Sequence, residues 1–195
     1  MNARIPVSGK MEATVLKQAD FNPVIPIGTK WEFKQLRKNS AGVYEVIDEW
    51  VQGNVITTQG LNHMLDVTFH GTTALGTWYL LLFEDNYAPL IGDTYAVPGF
   101  NESTAYTEAT RPAFVEAAAS GKVITNTANK ATFTMNDTKT IYGAALVSAT
   151  ADGNTKDNTA GAGGVMFCAS KFSTAKSVVV TDILQISCTI TLADV

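Results

Sequence analysis

Side chains able to do acid, base or nucleophilic chemistry are few and far apart in this 195-residue chain. Its two histidines, His63 and His70, fall on one predicted helix, about 10 Å apart along the axis. That is too far for both to hold one metal ion unaided, and they read as solvent-facing or interfacial residues. Glu84 and Asp85 could act as paired carboxylates, but no second polar pair accompanies them, so they read as exposed residues ending a strand. Asp152-Gly-Asn-Thr-Lys-Asp157 starts like an acidic calcium loop and then departs from it. Lys156 stands where an oxygen ligand is needed, and Asp157 where a glycine is needed. Gly161-Ala-Gly-Gly164 lacks the Lys-Ser/Thr and the helix of a phosphate-binding loop. No catalytic, cofactor-binding or metal-binding set emerges, and the expectation is a non-enzymatic protein.

Cys168 and Cys188 are too few for a disulfide framework. Both lie in alternating apolar segments, and a hairpin folded near Ser177 and Val178 would set them almost opposite each other. Buried free thiols are the reading for a chain made in a reducing compartment, with a disulfide as the alternative.

Fourteen basic and 18 acidic side chains give a net charge of −4, and the only basic group is Lys34, Arg37 and Lys38. Specific nucleic-acid binding is therefore not expected. Charged residues make up 16% of the chain and hydrophobic ones 46%, against about 25% charged in ordinary soluble domains. Such a surface must be rich in neutral polar groups or covered by partners. The longest apolar run, Trp78 to Phe83, has the length of a strand and not of a membrane span. Arg4 and Lys10 precede no apolar signal region, so the expectation is cytoplasmic synthesis with no membrane partner.

The elements that must position these residues can be read along the chain. Residues 1–29 carry Pro6, Pro23, Pro26, Gly9 and Gly28 among aperiodic apolar residues, including Val15, Leu16, Phe21, Val24 and Ile25. They read as an extended N-terminal arm laid across another surface, with a disordered tail as the alternative. Residues 30–57 read as a β-hairpin and its connection. Two alternating runs, Trp31 to Arg37 and Val43 to Trp50, flank the turn Asn39-Ser40-Ala41-Gly42, with Trp31 and Trp50 roughly opposite each other.

Residues 58–195 read as a β-sandwich body with one helix over 58–70. Leu61, Met64, Leu65 and Phe69 share a helix face, with Thr58 as N-cap and Gly71 as the stop. Thr77 to Phe83 is apolar on both faces and is expected to be the central core strand. The stretch Glu84 to Pro112 is long for a loop in a compact domain, which suggests an interaction surface.

Short strands follow at 113–118, 122–126, 131–135, 141–149, 165–172 and 183–192, with an exposed loop over 150–164. The fold class is therefore mainly β: an antiparallel, jelly-roll-like sandwich with one short helix and an extended N-terminal arm.

Four pieces carry a resemblance. They are Gly53-Asn-Val-Ile-Thr-Thr-Gln-Gly-Leu61, Gly76-Thr-Trp-Tyr-Leu-Leu-Leu-Phe83, Tyr106-Thr-Glu-Ala-Thr-Arg-Pro-Ala-Phe114 and Ile141-Tyr-Gly-Ala-Ala-Leu-Val147. In this order they resemble small structural proteins of tailed-bacteriophage virions, over roughly residues 53–192, with Glu-Ala-Thr-Arg-Pro the strongest run. The resemblance implies a structural role without residue-level activity. A head decoration or cement protein is expected, binding the major capsid protein or other virion subunits as a homo-oligomer located in the virion.

Tail, collar or fibre attachment is the alternative within the virion, and a carbohydrate-binding module using Trp31, Tyr44 and Trp50 is the alternative outside it. The candidate interface residues are Phe21, Val24, Ile25, Trp31, Trp50, Tyr106, Glu108 and Arg111. For the last two, a Glu–Arg pair locking the long loop competes with an arginine offered to a neighbouring subunit.

Overall fold

A computed structural model describes residues 26–193 of the chain. Phe21, Val24 and Ile25, and with them nearly all of the expected arm, lie outside the described residues.

The expected hairpin forms from β1 (Ile27–Lys38) and β2 (Tyr44–Gln52). Its turn is held by Asn39, whose side-chain oxygen accepts from the amides of Ala41 (2.9 Å) and Val43 (3.1 Å), as Asx residues do in turns. Trp31, Phe33 and Gln35 alternate inward while Lys30, Glu32 and Lys34 alternate outward. Trp50 sits opposite Phe33 and not Trp31, whose partner is Gln52. The rings still join, because Trp31, Phe33 and Trp50 stack in a row at centroid distances of 5.9 and 5.1 Å.

The rest of the chain supplies β3 (Val55–Ile56), α1 (Thr58–Phe69), β4 (Tyr79–Phe83), β5 (Val123–Thr125), β6 (Ala131–Thr134), β7 (Lys139–Ser148), β8 (Val165–Val178) and β9 (Ile183–Leu192). The strands form two antiparallel sheets. The first has the order β2-β1-β9-β5, with β6 also paired to β9, and the second has the order β3-β8-β7-β4. Their inner faces share one core, in which Trp31, Phe33, Leu184, Ile186 and Cys188 of the first sheet meet Leu80, Leu82, Leu146, Cys168 and Phe172 of the second. The fold is thus mainly β and sandwich-like, as the short punctuated strands predict.

Four details differ from the sequence reading. The hairpin at 30–57 is not an appendage to a body starting at 58. β1 pairs with β9 from Ile27 opposite Leu192 to Leu36 opposite Ile183, and so lies inside the first sheet. β4 is an edge strand and not the central one; it is apolar on both faces because the segment 84–112 folds over its outer side. Residues 113–118 form no strand, contributing only a bridge between Ala113 and Tyr79. β8 and β9 belong to opposite sheets, so no hairpin joins Cys168 to Cys188. The thiols approach each other across the core instead, and both are free and buried.

The helix begins at Thr57 and not Thr58 as its cap, with the Thr57 hydroxyl accepting from the Gly60 amide at 2.9 Å. Gly71, with φ of 74°, follows its end. Gly60 is the point of docking: a Cβ there would lie 2.6 Å from the Phe167 carbonyl oxygen, so only glycine lets the helix rest on the backbone of β8. The face predicted to be apolar is used only in part, since Leu65 is 51% and Phe69 81% exposed.

Candidate functional site

The densest polar constellation in the described residues lies outside the second sheet. There the segment 84–112 places Tyr95 and Phe100 on the outward side chains Leu81, Phe83, Ala145, Val147 and Met166, forming a second core. The segment pairs with the edge of β4 only briefly, the Ser103 amide donating to the Leu82 carbonyl at 2.8 Å and the Glu84 amide to the Asn101 carbonyl at 3.1 Å. Its remaining polar groups need partners elsewhere.

Arg111 supplies them. Its Nε donates to Glu102 Oε1 at 2.9 Å, and its Nη2 to Glu102 Oε2 at 2.5 Å and to the Asn158 carbonyl at 3.1 Å. Its Nη1 donates to the Tyr95 hydroxyl at 2.9 Å and to the Gly153 carbonyl at 2.8 Å. All five guanidinium donors are used, in the forked geometry that arginine alone provides. The side chains of the pair are 1% and 4% exposed.

The Glu102 carboxylate also accepts from the Asp157 amide at 2.9 Å, and the Arg111 amide donates to the Asn154 carbonyl at 2.8 Å. One arginine thus ties the covering segment to the connection 149–164 between β7 and β8. Gly164 completes the fit, because a Cβ there would lie 2.1 Å from the Tyr95 ring.

Burial pushes the Glu102 carboxyl up, opposed by Arg111 beside it. Burial also opposes charge on Arg111, but Glu102 and Tyr95 outweigh it and hold the guanidinium above its usual value. A cavity of about 250 Å³ adjoins the pair, yet every donor of Arg111 is already engaged within the chain. The arrangement braces two loops.

The partner of Arg111 is therefore Glu102, not Glu108. Glu108 accepts instead from the Thr134 amide at 3.0 Å, fixing the same segment to β6. Tyr106 is buried against Phe133 with ring centroids 5.0 Å apart. Lys156 caps it, its Nζ 3.8 Å from the Tyr106 ring centroid and donating to the Tyr106 carbonyl at 2.7 Å. Burial pushes the Tyr106 phenol up. The connection at 150–164, expected as an exposed loop, is pinned by both Arg111 and Lys156.

Of the remaining candidates, Trp31 is fully buried. Trp50 is half-buried between Phe33 and Phe172, with the Lys176 ammonium 4.3 Å from its ring centroid. Trp31, Tyr106 and Arg111 are interior groups, because each lies on a strand or segment whose opposite face meets solvent. His63 packs edge-on to Trp78 at 5.9 Å, and His70 caps the helix end. Glu84 faces Lys139 at 3.4 Å, and Asp85 accepts from the Asn101 amide. No cluster of three or more His, Cys, Asp or Glu suited to a metal ion occurs among the described residues, and none of their helices is long and apolar enough to cross a membrane.

A second polar network escaped the sequence reading altogether. Asp182, fully buried in the turn between β8 and β9, accepts from Arg37 Nε and Nη2 (2.8 and 2.7 Å), Gln35 Nε2 (2.9 Å) and the Val179 amide (3.0 Å). Burial pushes its carboxyl up, but these donors outweigh that and hold it below the usual range. Tyr95, Glu102 and Asn158 were missed likewise; nothing in the spacing of residues so far apart marks them as partners.

A markedly apolar opening lies elsewhere, between α1 and the β5 end of the first sheet, with a volume of about 430 Å³. No protein-family model matches the chain, and no curated protein matches it.

Proposed function

We propose that this chain is a structural subunit of a tailed-bacteriophage virion: a head decoration or cement protein that binds the major capsid protein and neighbouring copies. The observation that carries this reading is the division of side chains between inside and outside. The strongest polar groups, Arg111 with Glu102 and Arg37 with Asp182, are consumed in bracing the chain. Apolar side chains meanwhile stand out on α1 and the covering segment, Phe69 at 81% and Val97 at 71% exposed among them. A body whose chemistry is internal and whose apolar groups face outward suits assembly better than turnover.

The segments that carry the resemblance support the reading too. Tyr106 to Phe114 contains the brace, and Gly76 to Phe83 with Ile141 to Val147 forms the doubly covered sheet beneath it. Of the three aromatic residues that the carbohydrate alternative would use, Trp31 is turned inward and Trp50 is stacked within the hairpin, which leaves Tyr44, whose hydroxyl donates to the Thr181 carbonyl at 3.1 Å.

Quantitative mass spectrometry of washed particles tests the proposal. A copy number comparable with that of the major capsid protein is expected. A few copies per particle would move the chain to the tail, collar or fibre attachment, and its absence from particles would overturn the virion role.

A further inference from the structure

Two thiols meet between the sheets, and the donors around them are unsatisfied. Cys188 of β9 stands beside Trp31 of β1 in the first sheet. Cys168 of β8 stands between Ile56 of β3 and Leu146 of β7 in the second. Both side chains are fully buried and face each other across the shared core. Trp31 Nε1 and Asn54 Nδ2 are buried donors without a hydrogen-bond partner, and both lie close enough to the Cys168 sulfur to favour its thiolate. A buried donor left without a partner costs stability. Two of them beside one sulfur mark a place where negative charge can be received.

The pair sits behind a thin wall. β3, the edge strand next to Cys168, is two residues long. Just before it, the Asn54 side-chain oxygen accepts from the Thr29 hydroxyl, which joins the two sheets at this end. Thr29, Asn54 and Ile56 line an opening of about 580 Å³. Short edge segments open locally without unfolding of the whole, and release of residues 53–56 brings solvent to Cys168. Burial pushes the Cys168 thiol well up, so in the closed body it stays protonated and inert. With the wall open that burial is relieved, while the Trp31 donor remains beside the sulfur.

We propose that Cys168 and Cys188 form a gated redox pair, which hydrogen peroxide closes into a disulfide tying β8 of the second sheet to β9 of the first. The Cys168 thiolate attacks one peroxide oxygen, the O–O bond breaks, and the departing hydroxide leaves as water with the proton that the thiol has given up. The Cys188 sulfur then forms the S–S bond by displacing hydroxide from the Cys168 sulfenic acid, and its own proton makes the second water. Two thiols and one peroxide thus become one disulfide and two waters. None of this depends on the virion role.

The test exposes the full-length reduced chain to hydrogen peroxide under native conditions, then unfolds it in N-ethylmaleimide to label the thiols that remain. Unlabelled monomer, lighter by two hydrogens, is expected, with a peptide linking Cys168 to Cys188 and reversal by dithiothreitol. The rate should level off as peroxide is raised, because opening limits it. Thr29→Val, which removes the tie to Asn54 at the wall, should quicken disulfide formation several-fold. In Cys188→Ala the reaction should stop at a sulfenic acid on Cys168, trapped by dimedone, whereas Cys168→Ala should trap several-fold less in the same time.

Two labelled thiols at every peroxide concentration, disulfides between chains in place of the internal one, or a rate that neither levels off nor responds to Thr29→Val would each overturn the proposal. So would oxidation that only keeps pace with hydrogen exchange of the β9 amides, which reports unfolding of the whole body. Dimedone captured on Cys188 in preference to Cys168 would overturn the order of attack.

Discussion

Arg111 shows how one side chain can hold a fold's least regular part. A buried ion pair is not in itself stabilising, but removing one partner leaves the other charge buried and uncompensated, at a cost of about 3–5 kcal/mol. Arg111→Met should lower stability by that order, seen as a lower denaturant midpoint. Arg111→Lys should recover little of it, since an ammonium cannot reach Glu102, Tyr95 and two carbonyls at once.

Asp182 makes a prediction of another kind. Its carboxyl sits below the usual range in the folded chain, so its stabilisation is fully present above its unfolded value of about 4 and is lost as pH falls through the lower, folded value. Unfolding free energies of the wild type and Asp182→Asn should differ most near neutral pH and converge in acid. A constant gap down to low pH would refute this assignment.

The sequence announced the importance of Arg111 through the proline that follows it and the carboxylates nearby. It could not announce Glu102 over Glu108, because the choice depends on how a loop lies on a sheet and not on spacing. Asp182 gave no signal at all, since its partners Gln35 and Arg37 are some 145 residues away in the chain.

Among the elements, those with local causes were legible and those with long-range causes were not. The β1–β2 turn, the helix and the run of β9 from Ile183 to Leu192 follow from Asx chemistry, capping and alternation, all of which act over a few residues. The place of β4 did not follow. An apolar run on both faces reveals that a strand is covered, but not whether another strand or a loop covers it, and here the loop bearing Tyr95 and Phe100 does so.

Nor did the helix's docking face follow from hydrophobicity, because its contact is made by the absence of a side chain at Gly60. Gly60→Ala should therefore destabilise the protein by about 1–3 kcal/mol through overpacking, although alanine is the better helix former. A calorimetric scan in which the alanine variant melts at or above the wild-type temperature would show that the helix stands further from β8.

At the scale of the whole molecule, the two sheets have different kinds of outer surface. The second is covered by the segment 84–112 over β4 and the adjoining parts of β7 and β8, while Ser173, Thr174 and Ser177 of β8 stay exposed. The first sets Lys30, Glu32 and Lys34 along the outward face of β1, exposes Val46, Ile47 and Val51 on its edge strand β2, and carries the apolar groove at one end. Exposed apolar side chains stand on α1, on β2 and at the tip of the covering segment, whereas Trp31 of β1 and Tyr106 and Arg111 at the Glu-Ala-Thr-Arg-Pro run lie inside. The sequence marked them as unusual, and they are unusual as internal ties.

The pairing of β1 with β9 also sets the order in which the molecule can form. Of the described strands, β1 is the first to be synthesised and β9 the last, and β1 completes its sheet position only when Ile183–Leu192 has been made. Until then the first hairpin has an open edge and its row of aromatic rings has no opposite wall. A topology dominated by such distant pairings folds slowly. Translation must therefore pass Ile183–Leu192 before the nascent chain can bury Trp31 against its neighbouring strand, with the more than 140 residues between β1 and β9 made first.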